Sequence, residues 1–140
     1  MLRAPRYSRG MATASRRYLC LIHLDEAKLA ELPARELSDL NAAHLDFNDR
    51  LRASGHLIAA EALTPAAAAA TVRVRNGAPS ITDGPFAETK EVVAGFYLIQ
   101  ARDREEAAGI AARIPSASFA TVEVREATRL VVEGREPRWG

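Results

Sequence analysis

The sequence lacks the features of disulfide-bonded, membrane-spanning and nucleic-acid-binding proteins. It contains a single cysteine, Cys20, so it cannot form an internal disulfide, which fits a reducing compartment such as the cytoplasm. No segment approaches the roughly 20 consecutive apolar residues of a membrane helix, so we expect no membrane association. Nineteen basic and eighteen acidic side chains give a net charge of +1, which argues against a nucleic-acid partner.

Motifs for metals and phosphates are also missing. The three histidines and the cysteine form no HxH, HxxxH or CxxC spacing, and a metal site needs three or four converging ligands. There is no glycine-rich phosphate loop and no nucleophile elbow. The sequence therefore predicts no metal and no cofactor.

What is present fits one globular domain: 140 residues, 48% hydrophobic and 26% charged. The first seventeen residues stand apart, with five arginines and no acidic residue. This composition is typical of a transit peptide, but Pro5 and Gly10 interrupt any helix, and an upstream extension before a start at Met11 is the alternative. We expect a disordered N-terminal extension over residues 1–16, a domain over 17–130 and a loosely ordered tail over 131–140.

Hydrophobic periodicity predicts an α+β fold. Residues 17–24 are apolar on both alternating faces, which is typical of a central strand buried on both sides, and residues 92–101 show the same pattern. A helix is predicted from Pro33 to Ser54, ended by Gly55. The remaining predicted elements are a strand at 57–63, a hairpin of 71–75 and 78–82 around Asn76-Gly77, a helix from Asp103 to about Ile114, and a strand at 119–125.

This order of elements predicts a ferredoxin-like sandwich with an inserted β-hairpin. Two helices cover only one face of the sheet, while both central strands look apolar on both faces. The most economical cover for the second face is another copy of the chain, so we expect a homodimer packed sheet to sheet.

The segment DGPFAETKE at residues 83–91 is a dense run of polar residues and contains a rigid turn at Pro85. One interpretation is structural, with Asp83 accepting hydrogen bonds from the turn and Phe86 filling the core. The other is functional, with the Asp83 carboxylate held at a strand end and directed into a cleft.

This segment, with RYLCLIHLDE at the front, HLDFNDRLRASGHLIAAEAL from His44 and AGFYLI from Ala94, resembles the DGPF-type branch of the YCII-related domain family. The resemblance covers roughly residues 17–130. Two departures are Ala94, where the family usually has glycine, and Glu126, where proline is common. The resemblance implies a dimeric α/β-barrel arrangement, distant kinship with lactone isomerases and cofactor-free oxygenases, a link to extracytoplasmic-function sigma factors, and a His–carboxylate pair as active site.

The matching histidine is His44, which shares a helix face with Leu40, Phe47 and Leu51. It is either a packed core residue or, with Asp83, an acid–base pair for a small organic substrate. Two functions remain open: a small cofactor-free enzyme that uses His44 and Asp83, or a non-catalytic module that binds a ligand or a partner such as a sigma factor. His23 and His56 are weaker candidates at the rim of the domain.

Overall fold

The computed structural model describes residues 15–135, and these form a four-stranded sheet, a separate hairpin and three helices. Residues 1–14 of the predicted extension and residues 136–140 of the predicted tail lie outside this range. The elements are β1 (Arg16–Leu24), α1 (Glu26–Ala30), α2 (Ala34–Ala53), β2 (Leu57–Ala62), β3 (Ala70–Arg75), β4 (Ala78–Asp83), β5 (Val92–Ala101), α3 (Arg104–Ala111) and β6 (Thr121–Glu126), with 3-10 turns at Ala66–Ala68 and Pro115–Ser118.

Helix and sheet in this arrangement confirm the predicted α+β class. The strand order in the main sheet is β2-β5-β1-β6, and every neighbouring pair is antiparallel. The hairpin β3–β4 forms a second sheet, and in the sequence it lies between β2 and β5. None of the helices over residues 15–135 has the length and apolar character needed to cross a membrane.

The long helix α2 begins and ends where the sequence predicts. Pro33 precedes its first residue, and Gly55 follows it with a positive φ of 82°. The Gly55 N–H donates to Arg52 O, and the His56 N–H donates to Leu51 O at 2.9 Å. These two bonds form a Schellman motif, which needs the left-handed backbone that glycine adopts without strain.

The helix α3 begins with a side-chain cap. The Asp103 carboxylate accepts a hydrogen bond from the Glu106 N–H at 2.8 Å, as predicted. The Glu106 carboxylate accepts from the Arg102 N–H. The α-helix ends at Ala111, three residues before the predicted end, and a short turned segment leads to Pro115.

One face of the sheet packs on the helices and forms the core. Alternate residues of β1 and β5 are buried on this face, whereas their neighbours on the opposite face are only half-buried. The prediction that both central strands are buried on both sides is therefore wrong for the single chain. The buried hydrophobic residues of this core are Tyr18, Cys20, Ile22, Leu24, Phe47, Leu51, Tyr97, Ile99, Ala101, Ala107, Ile110, Ala111 and Ile114.

Candidate functional site

A cleft of about 640 Å³ lies between residues 37–48 of α2 and the helix-covered face of the sheet. Its position follows from the packing of α2, which is tight only in its second half. Phe47 and Leu51 are buried, whereas Leu37 and Leu40, nearer the start of the helix, are half-exposed. The volume is in the range of small-molecule sites. Most lining side chains are apolar, among them Leu24, Leu29, Leu37, Leu40, Leu45 and Leu63.

Two polar side chains in the wall of this cleft contact each other. His44 lies on the sheet-facing side of α2, and Tyr97 lies on the helix-facing side of β5. The distance between His44 Nδ1 and Tyr97 Oη is 2.8 Å, which is a hydrogen bond between the helix layer and the sheet layer. In the part of the chain that the structure describes, His44 Nε2 forms no hydrogen bond.

Burial sets the protonation states of this pair. It lowers the pKa of His44, because the charged imidazolium loses its hydration. It also raises the pKa of Tyr97 to about 12, because the phenolate would lose its hydration. At neutral pH the pair consists of a neutral imidazole and a protonated phenol.

Ring contacts fix the orientation of the pair. The rings of His44 and Tyr97 are stacked, with centroids 6.1 Å apart and an angle of 25° between their planes. Phe47 packs edge-on against Tyr97, with centroids 5.7 Å apart. Because Phe47 and Tyr97 belong to the core, the imidazole is held against a rigid wall.

Two further polar atoms on the cleft-lining residues have no hydrogen-bond partner among residues 15–135. They are Oδ1 of Asn48, one helical turn after His44, and Oγ of Ser116 in the 3-10 turn Pro115–Ser118. Ser116 is only 3% exposed. Buried polar atoms are nearly always paired, so each of these two unpaired atoms marks a position where a ligand or water can bind.

Asp83, the predicted acidic partner of His44, lies elsewhere in the chain. It ends β4 opposite Ala70, is exposed, and is not among the residues that line the cleft. Within residues 15–135, His44 is hydrogen-bonded to Tyr97, and no hydrogen bond or ion pair joins it to Asp83. The His44–Asp83 pair stays a prediction.

The turn around Asp83 is held by its neighbours. The Gly84 N–H donates to Ala69 O at 2.6 Å, and Thr71 Oγ1 donates to Gly84 O at 2.9 Å. In the described chain no side-chain hydrogen bond is made by Asp83, and Phe86 is 79% exposed. The structural interpretation, in which Asp83 caps the turn and Phe86 fills the core, is therefore wrong in both parts.

The hairpin β3–β4 presents an exposed apolar face. Val72 pairs with Ile81 and Val74 pairs with Pro79, so these four side chains lie on the same side of the two strands. Val72, Val74 and Ile81 are 56 to 70% exposed. Asn76 and Gly77 both have positive φ, as the predicted tight turn requires.

The other two histidines lie away from the cleft. His23 Nε2 is 3.0 Å from Glu123 Oε1, where β1 pairs with β6. His56 Nδ1 lies 2.8 Å from Ser54 Oγ, and its Nε2 lies 3.6 Å from Glu106 Oε1. No group of three metal-ligating side chains occurs in the part of the chain that the structure describes.

Sequence reasoning identified His44 but missed Tyr97. The available signal was the position of Tyr97 in a strand predicted to be buried, because a buried phenol hydroxyl usually needs a hydrogen-bond partner. Asn48 was equally visible, since it follows His44 by four residues on a predicted helix and therefore shares its face.

Comparison with known proteins identifies the family. Residues 16–131 match the YCII-related domain. The uncharacterized protein R00369 of Rhizobium meliloti (strain 1021) is 35% identical over 108 residues, which cover 74% of this chain and 84% of that protein. The chain therefore belongs to the YCII-related family.

Proposed function

We propose that this member of the YCII-related family binds a small organic molecule in the cleft and transfers a proton on it, with His44 as the base. The observation that supports this most is the hydrogen bond between His44 Nδ1 and Tyr97 Oη in the wall of the cleft. A neutral imidazole in a largely apolar site is the form that accepts a proton.

The hydrogen bond determines the role of each group. When His44 Nδ1–H donates to Tyr97 Oη, the lone pair of Nε2 is free to accept a proton. The Tyr97 O–H is then free to donate to an oxygen of the bound molecule. The raised pKa of Tyr97 keeps that proton in place at neutral pH.

The proposed step balances without a cofactor. His44 Nε2 takes a proton from a carbon next to a carbonyl, the C–H bond breaks, and its electron pair remains on the substrate as an enolate. Tyr97 donates a hydrogen bond to the enolate oxygen and stabilises the developing charge. Delivery of the proton from His44 to another carbon gives isomerisation. If the Nε2 proton is first replaced by one from solvent, return to the same carbon gives exchange.

Solvent-deuterium exchange tests this function with simple carbonyl compounds in place of the natural substrate. Compounds that raise the melting temperature are incubated with the protein in D2O, and deuterium incorporation is followed by NMR. We expect exchange by the wild type to be about 100-fold or more faster than by His44→Gln, since general-base catalysis is worth roughly that factor. Equal rates for both proteins would contradict the proposal.

A second candidate is a partner-binding module, and the hairpin β3–β4 favours it. An isolated two-stranded hairpin is marginally stable in water, and this one has an uncovered face of Val72, Val74 and Ile81. A sigma factor is the predicted partner. Loss of partner binding in Ile81→Glu, with deuterium exchange intact, would assign the hairpin and the cleft to separate functions.

We also propose a ferredoxin-like arrangement, a homodimer and membership of the DGPF-type branch. The strand order β2-β5-β1-β6 supports a ferredoxin-like arrangement. The half-buried face formed by Leu19, Leu21 and Leu98 supports a homodimer of the dimeric α/β-barrel type. The segment DGPFAETKE at residues 83–91 supports the DGPF-type branch. A cytoplasmic location stays a prediction.

A further inference from the structure

We infer that the cleft binds an uncharged ligand with two polar groups about one helical turn apart, one for His44 and Tyr97 and the other for Asn48 and Ser116. This inference rests on the proposed function, because it names the class of molecule on which the His44–Tyr97 pair acts. It is derived from two features of the cleft, the charge of its lining and the position of its unpaired polar atoms.

The charge of the lining disfavours anions. Glu26 and Glu61 are the acidic residues beside the cleft, and no lysine or arginine lines it in residues 15–135. Glu26 Oε2 accepts a hydrogen bond from the Ala66 N–H, which fixes this side chain beside the cleft. A carboxylate or phosphate ligand would be desolvated among leucines with no cation to pair with.

The unpaired atoms define the second polar group of the ligand. Asn48 Oδ1 only accepts hydrogen bonds, so its partner must be a donor, whereas Ser116 Oγ can donate and accept. Asn48 follows His44 by four residues, so the two side chains lie about 6 Å apart along one helix face. A benzene ring with polar groups at opposite ends spans such a distance between leucine walls.

Three probes of equal size separate these requirements by isothermal titration calorimetry. They are 4-hydroxybenzyl alcohol, which is neutral with two hydroxyls, 4-hydroxybenzoate, which is anionic, and 4-methylbenzyl alcohol, which has one hydroxyl. We expect the first to bind at least about tenfold more tightly than either of the others. We also expect Ser116→Ala and Asn48→Leu to reduce its affinity to about that of 4-methylbenzyl alcohol. Far-ultraviolet circular dichroism checks that both variants are folded.

Several outcomes would overturn the ligand class. The first is that 4-hydroxybenzoate binds as tightly as 4-hydroxybenzyl alcohol or more tightly. The second is that Ser116→Ala leaves the affinity for 4-hydroxybenzyl alcohol unchanged. The third is that no probe binds measurably. Because the measurement needs binding and no turnover, it is separate from the deuterium-exchange test. A carbonyl compound that binds in the cleft but exchanges equally fast with wild type and His44→Gln contradicts the proton transfer alone.

Discussion

His44 on helix α2 and Tyr97 on strand β5 share a hydrogen bond of 2.8 Å at the point where α2 separates from the sheet. On one side of this bond the core begins, with Phe47 packed on the edge of Tyr97. On the other side lies the cleft. The same contact thus lies at the edge of the core and holds an imidazole in the wall of the cleft. Its contribution to the free energy of unfolding can be measured by substitution.

Tyr97→Phe should destabilise the protein by about 0.5–1.5 kcal/mol, because it removes one hydrogen bond from a half-buried imidazole. Tyr18→Phe is the matched control, since the buried Tyr18 hydroxyl has no well-formed hydrogen bond in the described chain, although the Arg16 side chain lies near it. The control should be close to neutral. Urea unfolding measures both, and an equal loss in the two variants would show that the His44–Tyr97 bond contributes no stability.

The stability of the fold should fall as the pH drops below about 6.5, the ordinary pKa of histidine in an unfolded chain. Burial lowers the pKa of His44 in the folded state, so the unfolded state binds the proton first, and stability is lost until the folded pKa is passed. The free energy of unfolding is measured between pH 5 and 8. The part of the slope due to His44 should be absent in His44→Gln and retained in His56→Gln; an unchanged slope in His44→Gln would contradict this assignment.

The fold was largely predictable because its signals are local. Runs that are apolar on both faces mark β1 and β5, the glycine at position 55 marks the end of α2, and Asn76-Gly77 marks the hairpin turn. The burial of the second sheet face was mispredicted for the single chain. An apolar pattern reports only that a face avoids water, and it does not say whether the same chain provides the cover.

The candidate site was predictable only in part, because local sequence signals do not report contacts between distant elements. The helix face and the family resemblance both indicate His44. Its hydrogen-bond partner, Tyr97, lies 53 residues further along the chain, so the pairing depends on how α2 packs on β5. The predicted pairing of His44 with Asp83 rests on chemical type. The hairpin places that carboxylate at an exposed strand end. The local sequence does not indicate how the hairpin is oriented relative to the main sheet.

Gly95→Ala should destabilise the protein by about 1–3 kcal/mol. A Cβ atom at Gly95 would lie 2.9 Å from the backbone oxygen of Glu61 on the neighbouring strand β2, which cannot move without disturbing the sheet. Gly109→Ala in α3 is the contrasting variant, because its Cβ meets open space and alanine favours the helix by about 0.5–1 kcal/mol. Thermal unfolding should shift in opposite directions, and a neutral Gly95→Ala would show that β2 can yield at this point.

The helix-free face of the sheet should form a homodimer. A charge introduced there, as in Leu21→Glu, would be buried without a partner on association, so the variant should sediment as a folded monomer. Arg104→Glu on the exposed side of α3 introduces the same charge away from this face and should remain dimeric. Sedimentation velocity decides the matter, and a wild-type protein that is monomeric at all concentrations would contradict the dimer.

Asp83→Asn should leave both the fold and His44 almost unchanged. The carboxylate is exposed and accepts no hydrogen bond from the described residues, so the expected change in stability is within about 0.5 kcal/mol. Thr71→Val provides the contrast, because Thr71 Oγ1 donates the hydrogen bond that holds Gly84, and its loss should cost about 1 kcal/mol. In an NMR titration, the pKa of His44 should be the same in wild type and Asp83→Asn, since its partner in the chain is Tyr97. A lower pKa of His44 in Asp83→Asn would instead mean that the carboxylate reaches the imidazole in solution, as the sequence predicts for the active pair.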